Sequence, residues 1–259
     1  MTTIDFDFLE KNFYYFRLED HPKKIYSVIL ADFENRISID EFFNIYGRKL
    51  KANNPDVVAT YFCSAYGWLL SGFHYILSFS DTSLNLSLSN IELQVYYDEE
   101  HNYCGICFRL LDTHGVFVSD RHGALEELYS NHVVPLLNLF HQATNVRIKD
   151  LYGQLANGLY HGHDKSLAIA LSSEEIKKVE VDFSFVTKEL KPSIFNLTKN
   201  PLDINFRMID SPYEDDKLIR MRPSCCLYYQ TEGATAKCYS CPRMSDEERV
   251  EMKKGMQKL

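Results

Sequence analysis

Hydrophobic positions along this chain change their period by blocks. Ile39, Phe42, Phe43, Tyr46 and Leu50 recur at three- and four-residue spacing behind Ser38 and Glu41, a capping-box pair, which predicts a helix with one buried face. Leu84, Leu86 and Leu88 then alternate with polar residues, as do Ile91, Leu93 and Val95, and a third run from Tyr103 to Leu110 follows the turn-rich segment at 98–102. Period two with a turn of this kind predicts an antiparallel meander. From Asp120 the helical period returns with Leu125, Leu128, His132, Leu136 and Phe140, where Pro135 predicts a kink. Ile148, Leu151, Leu155 and Leu159 predict a second helix. Ser172 and Glu175 open a third, with Ile176, Val179, Phe183, Val186 and Leu190 on its apolar face. Residues 192–215 read as a loop-rich connection. Strands and helices in blocks predict an α+β fold: an antiparallel sheet in the N-terminal half, a helical bundle in the second half and a cysteine-rich C-terminal tail. The corresponding divisions fall at 1–119, 120–215 and 216–259.

Residues 57–80 lack Asp, Glu, Lys and Arg and match the length of a membrane span. Thr60, Ser64, Gly67, Ser71, Gly72, His74 and Ser78 interrupt the run, and such groups are costly against lipid. A buried helix is therefore preferred over a segment resting on a membrane, and peripheral membrane association is the lesser expectation. The 259 residues are 45% hydrophobic and 25% charged, an ordinary balance for a folded chain. A net charge of −8 argues against a nucleic-acid partner, which calls for clustered positive charge. Asp5, Asp7 and Glu10 stand where an export leader would be basic and then apolar, so a cytoplasmic, reducing setting is expected. There, clustered cysteines serve as metal ligands or redox groups more often than as disulfides.

Cys225, Cys226, Cys238 and Cys241 fall within seventeen positions. The C-x-x-C at 238–241 lets two thiolates share one centre on a tight turn. The adjacent pair is different: neighbouring side chains of an extended segment point apart, so each takes a separate position on a multinuclear centre unless a turn brings them together. Zinc sites favour C-x-x-C pairs on both sides, whereas a 2Fe-2S cluster takes four thiolates at irregular spacing. The cluster is preferred, and zinc stays open.

This constellation resembles the tail of the ferric-siderophore reductase family, often called FhuF-like, in which a Cys-Cys pair and a following C-x-x-C hold a 2Fe-2S cluster. The resemblance implies Cys225, Cys226, Cys238 and Cys241 as the metal ligands, flanked by Arg222 and Pro242. It further implies an oxidoreductase of iron assimilation, in which one electron passes from the cluster to chelated Fe(III). The partners it implies are a hydroxamate or citrate-hydroxamate ferric siderophore and an electron donor such as a ferredoxin or a reduced flavin system. Upstream, the segment 151–157 looks like the family's helical region, with Tyr152, Gly153 and Gln154 where relatives carry Trp-Gly-Asn, and no role is assigned to it. That helical module also looks similar to the C-terminal part of siderophore synthetases, which lack the cysteine tail. The alternatives are a zinc-stabilised non-catalytic protein, an iron sensor and an accessory of siderophore biosynthesis.

From Lys217 to Arg243 five cations meet one anion, a net +4 within an acidic chain. Arg222, Lys237 and Arg243 are the candidate contacts to an anionic ferric complex. Ser245 and Glu248 form another capping-box pair, which places a helix N-terminus beside the cysteines. Cys104 and Cys107 continue a strand and point to opposite faces, so both are assigned structural roles, and Cys63 is assigned to the core. His161 and His163 form an H-x-H without a third ligand and are read as surface or loop residues, while His74 and His132 are read as core histidines. No Walker loop, GxGxxG, GxSxG or HExxH motif occurs.

Overall fold

The computed structural model describes residues 4–13, 15–214, 216–234 and 236–256. The chain opens with α1 (Phe6–Asn12), β1 (Phe16–Arg17) and β2 (Lys24–Ile29), followed by α2 (Arg36–Leu50) and α3 (Pro55–Ser80). Next come β3 (Thr82–Leu84), β4 (Ile91–Asp98), β5 (Tyr103–Leu110) and β6 (Gly115–Phe117). The second half contributes α4 (Arg121–Leu128), α5 (Val134–Ala143), α6 (Ile148–Ile169) and α7 (Ser173–Ser184). A ribbon of β7 (Met208–Asp210) and β8 (Leu218–Arg220) leads into the tail, which carries α8 (Asp246–Met256). The fold is α+β, as the block pattern predicts.

The sheet departs from the expected meander. Its order is β1-β5-β4-β2, and only the β4–β5 hairpin belongs to the predicted set. The run at Leu84, Leu86 and Leu88 is a three-residue strand paired with β6, followed by a 3-10 turn at Leu88–Asn90. Local side-chain bonds draw this segment out of the ladder: Asn85 Oδ1 accepts from the Ser87 N–H, and Asn90 Nδ2 donates to the Asn85 and Asp112 carbonyls. The missing partners are β2, antiparallel to β4, and β1, which runs parallel to β5 with Phe16 opposite Phe108.

Helix starts follow the cap rather than the pattern alone. Asn35 accepts from the Ile37 N–H at 3.0 Å, so α2 begins at Arg36, ahead of the Ser38–Glu41 pair. The Ser172–Glu175 box forms as expected. Pro135 stands second in α5, directly after a π-turn at Tyr129–Val133, so the helical path widens just ahead of the residue that lacks an N–H.

A continuous core runs from Leu9 to Leu202 and centres on α3, which packs along α6. Its uncharged residues are mostly buried there, and no helix among the described residues is long and apolar enough to cross a membrane. The two helices touch backbone to backbone. A Cβ added at Gly67 would lie 2.1 Å from the Leu155 carbonyl oxygen, and one at Gly158 would lie 2.6 Å from the Trp68 nitrogen. Around this crossing Phe62 stacks on Phe140, with centroids 4.2 Å apart. Cys63, Cys104 and Cys107 are buried, and burial pushes the Cys104 and Cys107 thiols up to about 12. His74 is hydrogen-bonded to Tyr129. His161 and His163 lie on α6 rather than in a loop and stack on Trp68 and Phe183, which explains their close spacing without a metal.

Candidate iron-sulfur centre

The four C-terminal cysteines meet as two pairs. Cys225 Sγ lies 3.4 Å from Cys241 Sγ, and Cys226 and Cys238 stand together in the lining of one cavity. Neighbours in sequence thus face different partners, as an extended Cys-Cys step requires. Among the described residues no three of these sulfurs fall within 4.8 Å of one another. A tetrahedral four-thiolate zinc site, with Zn–S of about 2.3 Å, would bring all four within about 3.8 Å. Two separate pairs fit a binuclear centre with two thiolates on each iron.

Backbone amides turn toward the sulfurs. Leu227 adopts a left-handed conformation, φ 58°, and its N–H points back at Cys225 Sγ, 3.4 Å away. The Arg243 N–H addresses Cys241 Sγ at the same distance. These donors favour thiolate and raise the reduction potential of a thiolate-bound cluster. The neighbouring Cys238 thiol, with the positive charge of Arg222, draws Cys226 toward thiolate, while burial pushes Cys225 the other way.

Three parts of the fold hold this tail. Thr60 Oγ1 of α3 lies 2.8 Å from the Cys226 carbonyl oxygen. On α6, Gln154 Nε2 donates to the Ser224 carbonyl and hydroxyl, and the Ser224 hydroxyl donates to the Asp150 carbonyl, all at 2.8 Å. Gly153 leaves room for that approach, because a Cβ there would meet Ser224 Oγ at 2.7 Å. The loop between the cysteine pairs docks on the α2–α3 link: Glu232 N–H donates to the Lys51 carbonyl, and the Asn53 N–H donates to that of Gln230. Val57, Leu227 and Met244 close a small apolar core around Cys225 and Cys241.

On the remaining side, buried Arg249 of α8 donates to the Tyr239, Cys241 and Met244 carbonyls. The Ser245–Glu248 box that opens this helix forms in both directions. Arg249, Thr60 and Gln154 were not legible as site residues. Arg249 and Thr60 act through backbone carbonyls, which leave no trace in spacing, and Gln154 was visible only through the segment resembling the family's helical region. Replacing Arg249 with Met strands three buried carbonyls, each at a cost of about 1–3 kcal/mol. The expected result is iron release to a chelator at least about tenfold faster than wild type, timed by loss of visible absorbance.

The three sequence-selected cations do not converge. Arg222 lines a cavity with Cys226 and Cys238, and Arg243 lines another with Cys225 and donates to the Tyr229 hydroxyl at 2.7 Å. Lys237 is paired with Glu248 at 3.0 Å.

These features define a C-terminal thiolate centre of the iron-sulfur type on a helical platform. Residues 222–243 match the family described as the FhuF 2Fe-2S C-terminal domain, which indicates a 2Fe-2S cluster as the cofactor. No curated protein matches the chain in sequence.

Proposed function

We propose that this chain is a ferric-siderophore reductase, with Cys225, Cys226, Cys238 and Cys241 as the ligands of its cluster. The observation that carries this reading is the two-pair arrangement of thiols inside the matched segment. A 2Fe-2S cluster supplies one-electron transfer when bound, and one electron converts chelated Fe(III) to Fe(II). The hard oxygen ligands of a siderophore hold Fe(II) far more weakly, so reduction frees the metal. The chain's own part is to fix the thiolates, aim amide N–H groups at the sulfurs and exclude water with the Val57, Leu227 and Met244 core. The partners proposed are a hydroxamate or citrate-hydroxamate ferric siderophore and a ferredoxin or reduced flavin donor.

Protein purified without oxygen should contain about two irons and two sulfides per chain, with visible bands that dithionite bleaches. Added ferric siderophore should restore those bands as Fe(II) appears in a ferrous-specific chelator. A colourless protein with one zinc would overturn the reading.

A further inference from the structure

Two adjoining cavities share Tyr15, Tyr61 and Tyr228 as walls. One, of about 310 Å³, reaches Cys226 and Cys238 and is bordered by Arg222 and Ser64. The other, of about 360 Å³, continues to Tyr46, Tyr103, Lys49 and Lys51. They form one groove between the N-terminal half and the cysteine tail, since Tyr61 belongs to α3, Lys49 to α2 and Tyr228 to the tail. Among the described residues no carboxylate lines either cavity, although the chain as a whole carries −8. The Lys49 ammonium lies over the Tyr97 ring at 4.0 Å, and among the described residues no carboxylate pairs with it.

The opposite side of the centre is balanced in charge. A cavity of about 520 Å³ there touches Cys225 and carries Asp56 and Asp150 against Arg147 and Arg243. Asp150 is ion-paired with Arg147 at 2.6 Å. Balanced charge of this kind gives an anion no net attraction, whereas a groove with three cations and no acid concentrates one.

We propose that the tyrosine-lined groove seats the ferric chelate against the Cys226 and Cys238 side of the centre, and that it selects chelates of net negative charge bearing carboxylates. Arg222 offers a planar fork for a carboxylate beside the cysteines, and Lys49 and Lys51 meet negative charge at the far end. Phenol O–H groups donate to chelate oxygens, and the rings present flat walls to its carbon skeleton. This rests on the reductase reading for the identity of the occupant but on the groove alone for its charge and place.

Gallium(III) citrate tests the groove without electron transfer, because gallium copies the size and charge of Fe(III) but is not reduced. Calorimetric titration of the anaerobically purified protein should show binding. The Arg222→Gln/Lys49→Gln double variant should bind at least about tenfold more weakly. Arg243→Gln should bind as wild type, and the cationic gallium complex of desferrioxamine B should bind at least about tenfold more weakly than the citrate. Should the double variant lose its visible spectrum, exposed Lys49→Gln and Tyr61→Phe serve in its place, each expected to weaken binding several-fold. Unchanged affinity in the groove variants, or a stronger response to Arg243→Gln, would overturn the proposal. Gallium citrate held in the groove by a protein that reduces no ferric chelate would sink the reductase reading and leave the groove assignment standing. Ferric chelate reduction with an unaltered KM in the groove variants would do the reverse.

Discussion

Serine at Cys226 is expected to remove the visible absorption and most of the iron, leaving less than about a fifth of the wild-type content. Cys226 is drawn toward thiolate by the neighbouring Cys238 thiol and by the positive charge of Arg222. A serine hydroxyl at the same place holds its proton and is a poor iron ligand at neutral pH. Cys225→Ser, in the other pair, should cost both iron and activity to a similar degree. The informative control is Cys107→Ser. Cys107 is buried opposite Gln94 in the β4–β5 hairpin, and its thiol stays protonated up to about 12, so that variant should keep its iron. Full iron retention in Cys226→Ser, assayed beside sulfide on the same sample, would remove Cys226 from the ligand set.

Gly158→Val should be strongly destabilising although it touches no cysteine. Its side chain would enter the space held by the Ser64 carbonyl and the Trp68 nitrogen, and backbone cannot move aside as a flexible side chain can. Overpacking costs about 1–3 kcal/mol even against side chains, and contact with a buried helix backbone places this variant at about 3 kcal/mol or beyond. The effect should reach the centre as well. Thr60 of α3 and Gln154 of α6 grip the Ser224 to Cys226 backbone from two helices, so parting those helices pulls the grips apart. Urea unfolding should show a lowered midpoint, and iron content should fall although no ligand is touched. Gly255→Ala, with nothing within 4 Å of the added carbon, should leave both unchanged. A Gly158→Val protein with wild-type midpoint would contradict the close crossing.

Local signals were readable where one element carries its own explanation. The Ser172–Glu175 and Ser245–Glu248 boxes form because cap and partner are three residues apart in one turn. The hairpin at 98–102 was legible because Asp98 bonds its own turn, accepting from the Glu100 and His101 amides. Alternation at Leu84, Leu86 and Leu88 misled because Asn85 and Asn90 compete for the backbone, and side-chain competition of that kind does not alter the hydrophobic period. The edge strand β1 was illegible for a related reason: two residues are too few to show a period.

Residue pattern and spacing sufficed for the α+β class, the burial of the uncharged helix and the chemistry of the tail, since four thiols within seventeen positions already limit the centre to a few metals. Only the tertiary structure decided that Cys225 pairs with Cys241 while Cys226 faces Cys238. It also decided that Arg249, Thr60 and Gln154 hold the cysteine backbone, and that tyrosines from residues 15, 61 and 228 share one groove. Spacing along a chain reports which residues a turn or helix brings together. Contacts across more than a hundred positions depend on how α3 and α6 pack, and that packing is set by two glycines whose significance appears only when both backbones are in place.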